Sequence, residues 1–130
     1  MDFSAFVGLP WKDRGRGPDG YDCWGLFIAA FRAGTCISLS SYADDYTTAI
    51  DKAEVARIFA GELGDWAEIE RGRERPFDGV TMRIAGQLHI GLIVARGAML
   101  HMPFGKSSVI ERLDRYTPVL TGLYRHREFA

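Results

Sequence analysis

The second half of the chain is a series of short apolar runs: DGVTMRI (78–84), QLHIGLIVA (87–95), AMLHMPF (98–104), SVIERL (108–113) and VLTGLYRH (119–126). They are rich in β-branched and aromatic residues, and Gly86, Arg96-Gly97, Gly105-Lys106 and Pro118 stand between them as turn signals. Ahead of them the apolar pattern is helical. Helices first and a meander of strands afterwards is the α+β order, an antiparallel sheet carrying its helices on one side.

In the helical part, Phe3, Phe6 and Val7 recur at helical spacing until Gly8 and Pro10 interrupt them. Residues 11–21, WKDRGRGPDGY, read as a loop. From Cys23 to about Ala33, the residues Leu26, Phe27, Ala30 and Phe31 share one face, and Gly34 is placed to end the helix as a left-handed cap. A second helix is expected over 51–63. Asp51 and Glu54 have capping-box spacing there, and Val55, Ile58, Phe59 and Leu63 form a stripe.

A chain of 130 residues, 47% hydrophobic and 25% charged, fits one domain (1–130). That length suffices to bury roughly two-thirds of the unfolded surface. Sixteen Lys and Arg against 17 Asp and Glu give a net charge of −1, which argues against nucleic acid or an acidic membrane surface as partner. Arg71, Arg73 and Arg75, interleaved with Glu70 and Glu74, read as a solvated loop. Residues 1–10 lack the basic start and apolar core of a signal peptide, and no run approaches the ~20 apolar residues of a membrane span. Synthesis in a reducing cytoplasm is therefore expected, with Cys23 and Cys36 unpaired.

Chemistry enters at GYDCWGLF, residues 20–27. Asp22 is a good N-cap, so Cys23 takes the first helical position, where the helix dipole favours a thiolate and free N–H groups can hold an oxyanion. Position alone leaves two readings, a nucleophile and a small packing residue. Cys36, inside TCISL, reads as core filler, and His126, among charges in YRHREF, as exposed.

A nucleophilic thiol needs a base. His89 and His101 lie on consecutive strands, but a strict two-residue turn at Arg96-Gly97 pairs residue 92 with 101 and points the two rings to opposite faces. A shared face requires an odd loop, or a bulge with Gly97 left-handed, pairing 91 with 101. Such a loop or bulge is predicted. A zinc site lacks any C-x-x-C or H-x-x-x-H spacing, and RGRGPDG lacks the G-K-[ST] ending of a phosphate loop.

Residues 8–31, GLPWKDRGRGPDGYDCWGLFIAAF, together with DGVTMRIAGQLHIGLIVARGAMLHM (78–102), resemble the NlpC/P60 cysteine peptidases, especially their short phage-tail and gene-transfer-agent versions. The shared features are G-x-P-aromatic, D-C-x-G-L opening a helix, H-x-G on a strand, and a polar residue on the next strand. The resemblance implies a papain-like α+β fold, with Cys23 as nucleophile, His89 as general base and His101 as the residue that orients it. Trp11, Asp22 and Trp24 become substrate-binding candidates. The implied reaction is hydrolysis of peptidoglycan stem peptides between D-glutamate and a diamino acid, without cofactor or metal. The implied setting is a phage-like tail, made in the cytoplasm without a signal peptide, with tail proteins as partners and no membrane insertion.

Three departures stand out. Trp11 replaces the family's usual Tyr, Trp24 follows the nucleophile where many relatives have Ser, and Asp78-Gly79 replaces Gly-Asp. The first two bear on how the N-terminal end of the peptide is held. A non-catalytic tail-tip protein, or an amidase or acyltransferase of the same fold with a non-wall substrate, are the alternatives.

Overall fold

The computed structural model describes residues 1–40 and 63–129. Residues 51–62 of the helix predicted over 51–63, with its capping box, lie outside the described residues, and Leu63 opens a 3-10 turn, Leu63–Asp65. One α-helix, α1 (Cys23–Thr35), and six strands make up the regular structure described: β1 (Trp66–Ile69), β2 (Gly79–Ile84), β3 (Gln87–Ala95), β4 (Ala98–His101), β5 (Val109–Arg112) and β6 (Leu120–His126). Phe3 and Val7 flank, and Phe6 ends, a single 3-10 turn, Ser4–Phe6, rather than an α-helix.

The strands form one antiparallel sheet in the order β1-β6-β2-β3-β4-β5. β2 to β5 are the predicted meander. β6 departs from it, returning across the sheet to lie between β2 and β1. β1 was not expected, because WAEI lacks apolar alternation. It exists through its partner, with Trp66 opposite His126 and Ile69 opposite Leu123.

Each face of the sheet has its own core. Ile90, Leu92, Leu100 and Met102 pack against Leu26, Phe27, Ala30 and Phe31 of α1, the stripe read from the sequence. The opposite face buries Val80, Met82, Ile93, Met99 and Leu123 beneath the 3-10 segment Leu113–Val119. Each of the larger side chains contributes about 1.5–3 kcal/mol through removal from water.

Several expectations need correction. α1 runs through Gly34 to Thr35, and Cys36, at φ +63°, supplies the left-handed cap, donating its N–H to the Arg32 carbonyl at 2.8 Å. Gly34 serves packing instead, since a Cβ there would collide with the Phe77 ring. Cys36 is consequently exposed rather than core filler, and both thiols are free. His126 is buried, its ring 5.1 Å from that of Trp66 and 5.7 Å from that of Phe31, while its Nδ1 accepts the Glu128 N–H at 3.2 Å. In the arginine-rich loop the three cations are exposed, but Glu74 is buried and accepts the N–H groups of Gly72 (2.6 Å) and Gly97 (2.9 Å). It ties that loop to the β3–β4 turn.

The N-terminal arm is fastened to the β4–β5 connection through Ser108. Its hydroxyl donates to the Phe6 carbonyl (2.6 Å) and accepts the Leu9 N–H (2.8 Å). Its backbone carbonyl and N–H pair with Gly8 and Leu9, each at 2.9 Å.

Candidate active site

Cys23 is positioned by a loop seated on the first turn of α1. The Asp22 carboxylate accepts the Gly25 N–H at 2.6 Å, the expected N-cap, and binds Arg16 at 2.8 Å. The Asp22 N–H reaches the Gly15 carbonyl at 3.3 Å, and a Cβ on Gly25 would land on that same oxygen. Loop and helix are in direct backbone contact, which fixes where the sulfur emerges.

The two histidines are brought together by the predicted irregularity. Ala95 pairs with Ala98 across the two-residue turn, but Ile93 pairs with Met99, so Val94 is an extra residue in β3. Gly97 is left-handed at φ +79°. The register beyond the bulge sets Gly91 opposite His101, and β alternation then carries His89 to the face of His101. His89 Nε2 lies 2.9 Å from His101 Nδ1, with the rings nearly perpendicular at 78°.

Cys23, His89 and His101 line one cleft of about 450 Å³. Backbone N–H groups of Trp24 and of Ile90, the neighbour of His89, act on the sulfur. The cleft walls include Trp11, Ile84, Leu88, Met102 and Phe104, and no Asp, Glu, Lys or Arg lines it among the described residues. Trp11 packs edge-on against Phe104, ring centroids 4.7 Å apart, and Phe104 is 60% exposed at the rim.

Of the substrate-binding candidates, Trp11 alone borders the cleft. Trp24 belongs to the core, stacked on Phe27 at 5.3 Å, with its indole N–H on the Ser40 carbonyl at 2.9 Å. Helical geometry turns it inward, away from Cys23. Asp22 is 1% exposed, its carboxylate engaged by Gly25 and Arg16, so it shapes the helix start and does not face a ligand.

Glu111 on β5 escaped the sequence reading. Its Oε1 lies 2.7 Å from His101 Nε2 and accepts the Tyr116 hydroxyl at 2.6 Å, while Oε2 accepts from Arg115 at 2.8 Å. The signal available was a lone acid within the strand-forming SVIERL. Placing it beside His101 requires the β4–β5 register, in which Val109 faces His101 and Glu111 faces Met99.

Electrostatics differ from the expected activated thiolate. Burial, reinforced by the Asp22 carboxylate, pushes the Cys23 thiol up to about 12, outweighing the backbone N–H groups. Burial, with the neighbouring His101, pushes His89 down to about 3. His101 is lowered by burial, against the pull of Glu111. Burial raises the Glu111 carboxyl, but hydrogen bonds from Tyr116 and His101 outweigh it and hold the group below the ordinary carboxylate value. At rest the cleft therefore holds a neutral thiol and neutral imidazoles, backed by a carboxylate. Among the described residues no group of three His, Cys, Asp or Glu side chains is arranged to hold a metal ion.

Neither a scan of protein-family models nor a search of curated proteins finds a match. Solved structures do match. The chain is similar to the NlpC/P60 domain of the peptidoglycan hydrolase SagA (TM-score 0.62, 15% identity, 93% of this chain and 90% of that one). It is also similar to the P60 domain of an antigen from M. avium subspecies paratuberculosis (0.61, 18%, 96% and 88%). Against NlpC2 from Trichomonas vaginalis the TM-score is 0.67 at 19% identity, with 94% of this chain matching 42% of that one. Together with the helix–sheet order above, these likenesses give the chain the α+β architecture of NlpC/P60 domains.

Proposed function

We propose that the chain is a cysteine hydrolase that cleaves amide bonds in the peptide stems of bacterial cell wall. The observation that carries this reading is the convergence of Cys23, His89 and His101 on one cleft, with the two imidazoles hydrogen-bonded at 2.9 Å. SagA, named as a peptidoglycan hydrolase, has a domain of the same fold and supports the choice of substrate.

In this reading Cys23 attacks the amide carbonyl as its proton passes to His89. Because both groups start neutral, proton transfer accompanies attack. The imidazolium then protonates the leaving amine, and water, deprotonated by His89, resolves the thioester. His101 holds the His89 ring in place, as the third member of a triad does. Backbone N–H groups at the start of α1 face the developing oxyanion. Trp11 and Phe104 form the wall along which the substrate lies.

The bond we assign is that between D-glutamate and the diamino acid, and the setting is a phage-like tail particle that opens the wall locally. Both rest on the resemblance of the D-C-W-G-L and H-I-G segments. A second reading, an amidase or acyltransferase of this fold on a less polar substrate, is favoured by one observation. Asp22 is locked to Arg16, and the described cleft walls carry no charged side chain.

Digestion of purified peptidoglycan followed by mass spectrometry tests the proposal. The expected result is new fragments that differ at one stem bond, lost in Cys23→Ala with the circular dichroism spectrum unchanged. Intact wall after digestion, or cleavage that survives Cys23→Ala, overturns it.

A further inference from the structure

Glu111 does more than occupy the space behind the histidines, because its charge dictates how protons are arranged along them. An ionised carboxylate only accepts hydrogen bonds. At 2.7 Å from Glu111 Oε1, His101 Nε2 must therefore carry hydrogen. A neutral imidazole has one N–H, so His101 Nδ1 is then bare. His89 Nε2, 2.9 Å away, must donate to it. The remaining nitrogen, His89 Nδ1, is left with a free lone pair, the form that can take a proton from a thiol.

The carboxylate is itself held as an acceptor. The Tyr116 hydroxyl donates to Oε1 and Arg115 to Oε2, at 2.6 and 2.8 Å, and the side chain is 14% exposed. Reversing His101 alone would set its bare Nε2 against an oxygen lone pair and two N–H groups against each other, and reversing His89 alone would set two bare nitrogens face to face. With both rings neutral the sequence of donors thus has one satisfied solution, and it is set at the end farthest from the sulfur.

We propose that Glu111 is a positioning residue that selects the His89 tautomer with a free Nδ1, acting through His101. The role in turnover rests on the hydrolase reading above; the tautomer assignment stands apart from it. Glu111→Gln is the informative variant, because the amide nearly matches the carboxylate in shape but can turn its NH₂ toward His101 Nε2. His101 then takes its hydrogen on Nδ1, and His89 is driven to the opposite tautomer.

Two-bond nitrogen–proton NMR correlations of the histidine rings at neutral pH read this directly. The expected wild-type pattern is Nε2–H on both His89 and His101, with Nδ1–H appearing in Glu111→Gln. The accompanying loss of turnover is about 100-fold in kcat with KM nearly unchanged. Nδ1–H on either ring of the wild type, or tautomers unmoved in a folded Glu111→Gln, overturns the proposal. The wild-type spectrum alone decides if the variant fails to fold. An inactive wild type with the expected tautomers sinks the hydrolase reading and leaves the Glu111 assignment supported.

Discussion

The buried Asp22 carboxylate and the half-buried Arg16 form an ion pair 2.8 Å long, immediately before the thiol of Cys23. The acid caps α1 through Gly25 and, by its charge, also opposes ionisation of the sulfur. One side chain therefore stabilises the helix start and adds to the burial that keeps the Cys23 thiol protonated at rest.

The thiol is expected to react slowly at neutral pH. Alkylation by iodoacetamide, followed by mass spectrometry, should have its midpoint for Cys23 well above the ordinary thiol value of ~8.5. Asp22→Asn retains a good N-cap residue while removing the charge, so its midpoint should move down. A wild-type plateau reached below neutral pH would mean that a thiolate–imidazolium pair exists in the free protein.

Gly25 is a stability position despite lying in a helix. Replacing a helical glycine by alanine ordinarily gains up to ~1 kcal/mol. Here the added methyl meets the Gly15 carbonyl, a backbone atom that cannot swing aside. Gly25→Ala should lose about 2 kcal/mol, measured as a fall in the urea midpoint. An unchanged or raised midpoint would show that the loop is not seated on the helix.

Acid should destabilise the fold through His89. Its folded value, about 3, lies below the unfolded 6.5, so between those values the unfolded chain binds the extra proton. Stability is complete above 6.5 and declines as pH falls toward 3, by on the order of 4 kcal/mol at the acid end. His89→Gln should flatten that limb of a plot of urea midpoint against pH. Parallel curves for variant and wild type between pH 4 and 7 would contradict an imidazole held neutral in the fold.

Asp78 and Arg125 join the start of β2 to β6 by two hydrogen bonds, 2.9 and 2.7 Å long, with side-chain exposures of 3% and 11%. Asp78→Ala strands a buried guanidinium and should cost about 3–5 kcal/mol. Asp78→Ala combined with Arg125→Met should recover a large part of it, read from thermal unfolding. Additive losses in the double variant would mean that the pair is not coupled.

Local chemistry made much of this legible in advance. Asp22 before an apolar stripe located α1, and side-chain alternation required an extra residue for His89 and His101 to share a face, which Val94 provides. What escaped depends on partners far along the chain. β1 is a strand because β6 lies beside it, and Gly34 yields the helix cap to Cys36 because Phe77 occupies its flank. Glu111 meets His101 through a register that the 102–108 connection conceals. The raised thiol follows from burial, to which cap and dipole rules are blind.

The clasp at Ser108 has a consequence for biosynthesis. It secures the arm that leads into Trp11, using a residue made long after the sulfur. On the ribosome, Cys23 emerges before either imidazole exists and before its aromatic wall has anything to rest on. A nascent or truncated chain ending short of Ser108 would leave the arm carrying Trp11 unfastened, so the cleft beside Cys23 is completed late, when both ends of the fold have met.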